Sequence, residues 1–152
     1  MRSRPRTRPR RLARDAARQR DAHPGARVVA TSETQPFWDA AREGTLLVKV
    51  CTACGAAHWY PRALCPFCFG ATAWKESAGT GTIYSYSVMR RVPRPYAIAY
   101  VTLDEGVTMM TNVVGCELDD VRIGMRVRVV FVPAAAGEPP LPMFSPIDAS
   151  TA

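Results

Sequence analysis

Residues 51–68 read CTACGAAHWYPRALCPFC, and this stretch decides how the chain folds. It holds two CxxC pairs, Cys51 with Cys54 and Cys65 with Cys68, separated by ten residues. Two tight turns of this kind direct four thiolates at one ion, which is the tetrahedral sulfur coordination that zinc prefers. Because the protein supplies all four ligands, the ion has no open coordination position. The stretch therefore predicts a structural zinc site rather than a catalytic one.

Other uses of these residues are less well supported by their surroundings. A redox role for either CxxC pair needs a βαβ context, which the sequence does not provide. His58 lies between the pairs, but four cysteines already complete the site, so a packing or surface role is favoured for it. Five cysteines without an export signal indicate a reducing cytoplasm. The unpaired Cys116 lies in an apolar stretch, VVGC, and is predicted to be a buried small hydrophobe.

The segment before the cysteines predicts one short helix. Thr34 precedes QPFWDAAREG, in which Pro36 suits a first helical turn and Gly44 can end the helix. Phe37 and Trp38 on this helix are candidates for binding a partner. The alternative, which we favour, is that they pack against the chain's own ribbon or barrel.

The remaining pattern is mainly β. Around the cysteines, LLVKV, HWYPRAL and TAWKES predict a three-stranded ribbon whose centre is the metal. After Gly79 and Gly81, five short runs follow without a convincing helix between them, which favours a five-stranded OB-fold barrel, with a sandwich as the alternative. In the first of these runs, strict alternation is expected over residues 82–89. The five runs are TIYSYSVMRR, YAIAYVTLDE, VTMMTNVVG, RVRVVFV and LPMFSPI.

Charge divides the chain unevenly. Residues 1–27 hold ten arginines and two acids, whereas residues 28–152 sum to −1. Such a basic segment without an apolar face is predicted to be disordered. It is either an arm for nucleic acid or an anionic surface, or a solvated tail, or sequence read from a start codon placed too far upstream; we favour the latter two. We expect three regions: an Arg-rich leader (1–33), a helix with a zinc ribbon (34–78) and an OB-fold domain (79–152).

Three motifs in order resemble the DUF35 family: PFWDAAREGTLLVKVCTACGAAHWYPRALCPFC, GTGTIYSYSVM and NVVGCELDDVRIGMRVRVVF. The resemblance spans residues 34–147. It implies a rubredoxin-like zinc ribbon and an OB-fold that act as a non-catalytic companion of a thiolase-fold enzyme: a thiolase, an acyl-CoA synthase or a thiolase-like aldolase. Such companions belong to acyl-CoA, lipid or steroid metabolism. They stabilise the enzyme and help to carry CoA, and some relatives work with hydratase-type partners. The four cysteines match the family's ligand positions, and Phe37 and Trp38 match its helix motif.

A CoA site is expected near the barrel mouth if this resemblance holds. Arginine suits phosphate because its planar fork is always charged. Tyrosines can offer a flat surface to adenine. The alternative is that these tyrosines lie in strand faces and the arginines in a solvated loop. The candidate CoA-binding residues are Arg90, Arg91, Arg94, Tyr84, Tyr86 and Tyr96.

Two other classes of function stay open from sequence. OB-folds, zinc ribbons and basic arms recur in single-stranded nucleic-acid-binding modules, although the body's charge of −1 argues against one here. A bare interaction protein that never contacts CoA is the other alternative. An enzyme is disfavoured because the two histidines, His23 and His58, lie in the leader and the ribbon, and no nucleophile has a candidate base.

Overall fold

In a computed structural model of the chain, the structure describes residues 28–147. This part contains a short helix, a three-stranded sheet and a closed five-stranded barrel. The predicted disorder of the leader falls mainly on residues outside the described range. No helix within that range is both long and apolar enough to cross a membrane. The elements are α1 Gln35–Arg42, β1 Leu47–Cys51, β2 Ala57–His58, β3 Thr72–Glu76, β4 Thr80–Met89, β5 Tyr96–Leu103, β6 Thr108–Val113, β7 Arg126–Val132 and β8 Leu141–Pro146.

Helix α1 forms where the sequence predicts it. Pro36 lies in its first turn, and its apolar positions Phe37 and Ala41 are both buried. The helix ends at Arg42, two residues before Gly44, whose N–H donates to the carbonyl of Ala41. One face of this short helix therefore packs against the protein interior.

The ribbon is an antiparallel sheet in the order β2-β1-β3. The strand expected over HWYPRAL is wrong in its length, because pairing stops at His58. Pro61 lacks an N–H to extend the ladder, and the chain then turns toward the second cysteine pair, closed by a bridge between Leu64 and Ala71. The middle strand of the ribbon motif is therefore only two residues long.

The barrel has the strand order β4-β5-β6-β8-β7, and β7 pairs with β4 to close it. All neighbours are antiparallel except β6 and β8, which run parallel at Val113 and Phe144. This order and closure are those of an OB-fold. The predicted fold class, mainly β with a zinc ribbon and a five-stranded OB-fold, is confirmed. The sandwich alternative is wrong because the sheet closes on itself.

A β-bulge interrupts β4 between Ile83 and Ser85. The predicted strict alternation over residues 82–89 is therefore wrong, because one extra residue reverses the faces beyond the bulge. Ile83 is buried, Tyr84 at the bulge is exposed, and Tyr86 then pairs opposite the buried Ala99. Tyr84 and Tyr86 consequently face different environments.

One apolar core joins the ribbon to the barrel. Phe37 and Leu46 from the helix side belong to the same buried cluster as Ile83, Val101 and Phe144 from the barrel. Polar contacts reinforce the junction, since the carboxylate of Glu105 accepts bonds from the Ser77 hydroxyl at 3.0 Å and the Ala78 N–H at 2.7 Å. The two parts therefore share one interior.

A carboxylate ties three strands at one end of the barrel. Asp104, just after β5, accepts two bonds from the guanidinium of Arg126 at 2.7 and 2.9 Å, and a third from the hydroxyl of Thr80. The Arg126 and Thr80 donors lower the pKa of Asp104 from its ordinary 3.8 to about 2. Because its folded-state pKa is depressed, this carboxylate stabilises the fold above about pH 4, and that stabilisation is lost as the pH falls toward 2.

Asp104→Asn is accordingly expected to destabilise the protein by about 1 kcal/mol or less at pH 7, since the pair is solvent-exposed and screened. The difference from wild type should shrink as the pH is lowered from about 4 to about 2, because the wild-type carboxylate then becomes neutral as well. Urea unfolding of both proteins across this range measures the difference. A gap that stays constant or widens in acid would contradict the assignment.

Candidate metal centre and neighbouring surfaces

The four predicted cysteines converge at the edge of the ribbon. All four Sγ atoms lie within 4.8 Å of one another. Cys51 and Cys68 are 3.5 Å apart through sulfur, and Cys54 and Cys65 are 3.8 Å apart. Four thiolates around one zinc, each at a Zn–S distance of about 2.3 Å, would be about 3.8 Å apart. The residues fit the ion, and the centre is a structural zinc site of the rubredoxin-like ribbon type.

Backbone groups prepare these sulfurs to bind a cation. The N–H groups of Cys54 and Ala53 point at Cys51 Sγ at 3.4 Å, and the N–H of Phe67 points at Cys65 Sγ at the same distance. The Cys54 bond and then the Ala53 bond help to lower the pKa of Cys51, whereas the thiol of Cys51 contributes to raising the pKa of the neighbouring Cys68, so the thiolate is favoured on Cys51. Gly70 lets the backbone approach the centre, because a Cβ there would lie 3.2 Å from Cys51 Sγ.

His58 is not part of this centre. Its side chain is only 4% exposed, and its Nδ1 lies 3.3 Å from the carbonyl of Tyr60. Its Nε2 is buried and has no hydrogen-bond partner among the described residues. The structure thus places His58 in a packed position at the end of β2, one of the two positions that sequence favoured.

The candidate CoA-binding residues divide into two groups. Arg90, Arg91 and Arg94 are exposed on the loop between β4 and β5, where Arg90 pairs with Asp119. Tyr86 lies opposite the buried Ala99, near the end of β4 that leads into this loop. Its side chain is still 40% exposed, so we place it at the mouth of the barrel.

The other two tyrosines lie elsewhere. Tyr96 is half-buried at the start of β5, opposite Met89. Tyr84 lies six residues before Arg90 along β4, about 20 Å at the rise of a strand. Because of the bulge, Tyr84 is exposed on the outer surface of the barrel, as are Tyr100 and Met110. Tyr100 and Met110 lie opposite each other on β5 and β6. The structure does not bring Tyr84 to the arginine loop.

The two candidate partner-binding residues, Phe37 and Trp38, lie in different environments. Phe37 is 3% exposed, and its ring centroid lies 4.9, 5.2 and 6.4 Å from those of Trp38, Trp59 and Trp74. Its contacts are with the chain's own interior. Trp38 is half-buried and lines a cleft of about 360 Å³ between helix α1, the segment after β2, and the strands β6 and β8.

This cleft was not anticipated from sequence. Its walls carry no charged residue, and they include Trp38, Trp59, Tyr60, Met110 and Pro142. Two of its polar side chains already make hydrogen bonds within the chain: Asn112 Nδ2 donates to the carbonyl of Ala97, and the Thr111 hydroxyl donates to that of Pro142. The cleft therefore suits an apolar group. Its walls come from segments that are far apart in the sequence, so no local sequence motif predicts it.

Cys116 was predicted to be buried, but it is only half-buried, in the segment that follows β6. Burial, followed by the charges of Asp120 and Glu117, raises its pKa. A raised pKa keeps the thiol protonated and unreactive.

Comparison with known proteins agrees with this architecture. Residues 38–74 match the family described as "ChsH2, rubredoxin-like zinc ribbon domain", and residues 74–132 match "ChsH2, C-terminal OB-fold domain". A "DUF35 domain-containing scaffold protein" of Methanocaldococcus jannaschii is 36% identical over 103 residues, which are 62% of this chain and 73% of that protein.

Two further relatives are similar over most of this chain. The solved structure of an "Ltp2-ChsH2(DUF35) aldolase" is 34% identical with a TM-score of 0.70, covering 79% of this chain and 98% of that one. A "Probable enoyl-CoA hydratase alpha subunit" of Thermomonospora curvata is 38% identical over 125 residues. These are 77% of this chain but only 39% of the hydratase subunit, so the match spans less than half of that protein.

Proposed function

This chain belongs to the DUF35 family, and we propose on that premise that it is a non-catalytic accessory subunit of a thiolase-fold enzyme. The partner is a thiolase, an acyl-CoA synthase or a thiolase-like aldolase of lipid or steroid metabolism in the cytoplasm. The subunit stabilises this enzyme in a hetero-oligomer and offers it a site for CoA.

One observation carries the proposal. A chain of the solved structure named "Ltp2-ChsH2(DUF35) aldolase" is matched over 98% of its length by 79% of this chain, at 34% identity, and that name joins a DUF35 component to an aldolase. A second relative is named a scaffold protein. A closed four-thiolate site in the ribbon maintains shape and has no open position for a substrate.

The chemistry of the described residues supports a role without catalysis. His58 is buried with its Nδ1 near a backbone carbonyl, and the raised pKa of Cys116 leaves its thiol protonated. Within residues 28–147 the apolar cleft brings together no acid, base or nucleophile of the kind that acyl transfer uses. Chemistry on an acyl-CoA is therefore assigned to the partner.

The uncharged cleft supports a contact with the partner through Trp38. Aromatic and methionine side chains are enriched where protein surfaces meet, and a pocket that buries one apolar side chain often supplies much of the affinity. We assign the cleft to an apolar side chain of the thiolase-fold enzyme. Phosphates of CoA find no cation there.

The loop between β4 and β5 is the better place for those phosphates. Arg91 and Arg94 are exposed there, and among the described residues no carboxylate pairs with either of them. Arg90 already pairs with Asp119, so it would have to exchange that partner. Tyr86 at the adjacent open end of the barrel offers a ring to adenine.

Co-expression tests the proposal. The thiolase-fold enzyme of the same organism is expected to be more soluble, and to unfold at a higher temperature, when it is produced with this chain than without it. Calorimetry of the purified pair with CoA then tests the loop. An Arg91→Ala/Arg94→Ala pair should weaken CoA binding and leave the complex assembled. An enzyme whose solubility, stability and activity are indifferent to the chain would contradict the accessory role.

A further inference from the structure

The second cysteine turn exposes an unusual amount of apolar side chain. We call residues 64–71, LCPFCFGA, the second knuckle; the bridge between Leu64 and Ala71 closes it. Phe69 is 77% exposed, Phe67 is 68% exposed and Leu64 is 56% exposed. Zinc ligation by Cys65 and Cys68 on the same turn holds this loop in place. Exposed aromatic rings on a rigid loop lose little conformational freedom when they are covered.

Phe69 also occupies a backbone conformation that its side chain disfavours. The first knuckle has Gly55 directly after its second cysteine, with φ at 74°. The second knuckle has Phe69 at the equivalent position, with φ at 59°. Glycine adopts this left-handed region freely, whereas a bulky residue there is strained. The turn therefore requires a left-handed backbone conformation at residue 69. Glycine would meet this requirement without strain, so the phenylalanine ring is not needed for the turn to form. The second knuckle keeps backbone strain at Phe69 that the first knuckle avoids by having Gly55. Such retained strain points to a function for the Phe69 ring.

We propose that the second knuckle is an anchor through which this chain docks on its partner protein, with the rings of Phe67 and Phe69 entering an apolar depression on the partner. This inference rests on the proposed function, because it identifies where the accessory subunit contacts its enzyme. It assigns to the ribbon a binding surface in addition to its structural role.

The chemistry of the knuckle defines what it can bind. Residues 64–71 contain no charged side chain, and their only polar side chains are the two zinc-binding thiols. Phosphates and carboxylates therefore find no partner on the loop, which leaves apolar contact as the means of recognition. A protein surface with a matching depression fits this chemistry better than a nucleic acid, which needs cations along its backbone.

The size of the patch shows how much of an interface it can form. Two phenylalanine rings exposed to this extent present roughly 300 Å². A stable interface buries about 800 Å² on each partner. The knuckle alone is thus too small to hold two copies of this chain together. It has the size and composition of the central anchor of a wider contact.

Phe69→Gly in the full chain separates a structural role from a docking role. Glycine relieves the strain, so the melting temperature should hold or rise by about 2 °C, and zinc per chain should not change. Affinity for the thiolase-fold enzyme that copurifies with wild type should fall at least about tenfold. Phe67→Ser should weaken affinity similarly. Ile123→Ser is the matched control, because Ile123 is also 68% exposed but lies between β6 and β7.

Each contrary result has a distinct meaning. If wild type binds the enzyme and Phe69→Gly and Phe67→Ser bind it equally well, the knuckle inference is wrong and the proposed function stands. If wild type binds no thiolase-fold enzyme, both fail. Sedimentation with phosphatidylglycerol vesicles, or self-association in light scattering, that is lost in these variants but kept in Ile123→Ser would assign the knuckle to a membrane or to a second copy, and would overturn the inference.

Discussion

Replacing Cys65 with serine is expected to release the zinc and to unfold the ribbon. Cys65 is fully buried at the centre, and a hydroxyl cannot replace its thiolate as a ligand. Binding of structural zinc contributes about 10–16 kcal/mol to the folding of small zinc domains, whereas whole domains are stable by only about 5–15 kcal/mol. Because Leu46 and Val48 share a core with the barrel, the barrel should lose stability as well.

Three measurements check this expectation. Plasma mass spectrometry should give one zinc per wild-type chain and a small fraction of that in Cys65→Ser. Proteolysis should cut the ribbon of the variant first, and its thermal transition should move down or disappear. Cys116→Ser serves as the control, because Cys116 lies outside the cluster and should keep full zinc. A Cys65→Ser protein with its metal and its wild-type transition intact would refute the assignment.

Phe37→Ala is expected to be the most damaging substitution that leaves the zinc ligands intact. Phe37 is buried among three tryptophans and belongs to the core that connects helix α1, the ribbon and the barrel. Removing a buried phenylalanine ring costs about 3–5 kcal/mol, through lost transfer energy and the cavity left behind. The cavity would adjoin the cleft, because Phe37 also lines it.

Urea unfolding followed by tryptophan fluorescence measures this cost. Phe67→Ala provides the same chemical change at an exposed position, and it should alter the free energy of unfolding by about 0.5 kcal/mol or less. Zinc per chain should be unchanged in folded Phe37→Ala, which separates packing from metal binding. Equal losses in the two variants would mean that Phe37 does not hold the parts together as described.

Much of the fold could be predicted because strong local signals coincide with it. The two CxxC pairs specify the metal by ligand type and spacing, which needs no knowledge of distant contacts. The run RVRVVFV coincides with β7 because it is short and rich in β-branched residues, and LPMFSPI contains β8 as a short apolar run after turn residues. The order of these signals also carried the family resemblance.

What could not be predicted depends on contacts between distant segments. Nothing in IYSYS marks the extra residue at the bulge, and strict alternation without it places Tyr84 and Tyr86 on the same face. Phe37 and Trp38 are adjacent on one helix, but only tertiary packing decides that the first is buried and the second borders a cleft. The exposed rings of the second knuckle could have been suspected from CPFCF, in which Phe69 stands where the first knuckle has Gly55.

The accessory-subunit role is the central claim, and the mass of the native assembly tests it most directly. The chain, tagged at its C-terminus in its own organism and gently purified, should elute with a thiolase-fold enzyme in a fixed subunit ratio, with one zinc for each copy of the chain. A chain that elutes alone, or with nuclease-sensitive nucleic acid in place of an enzyme, would contradict the account and would return the OB-fold to single-stranded nucleic acid.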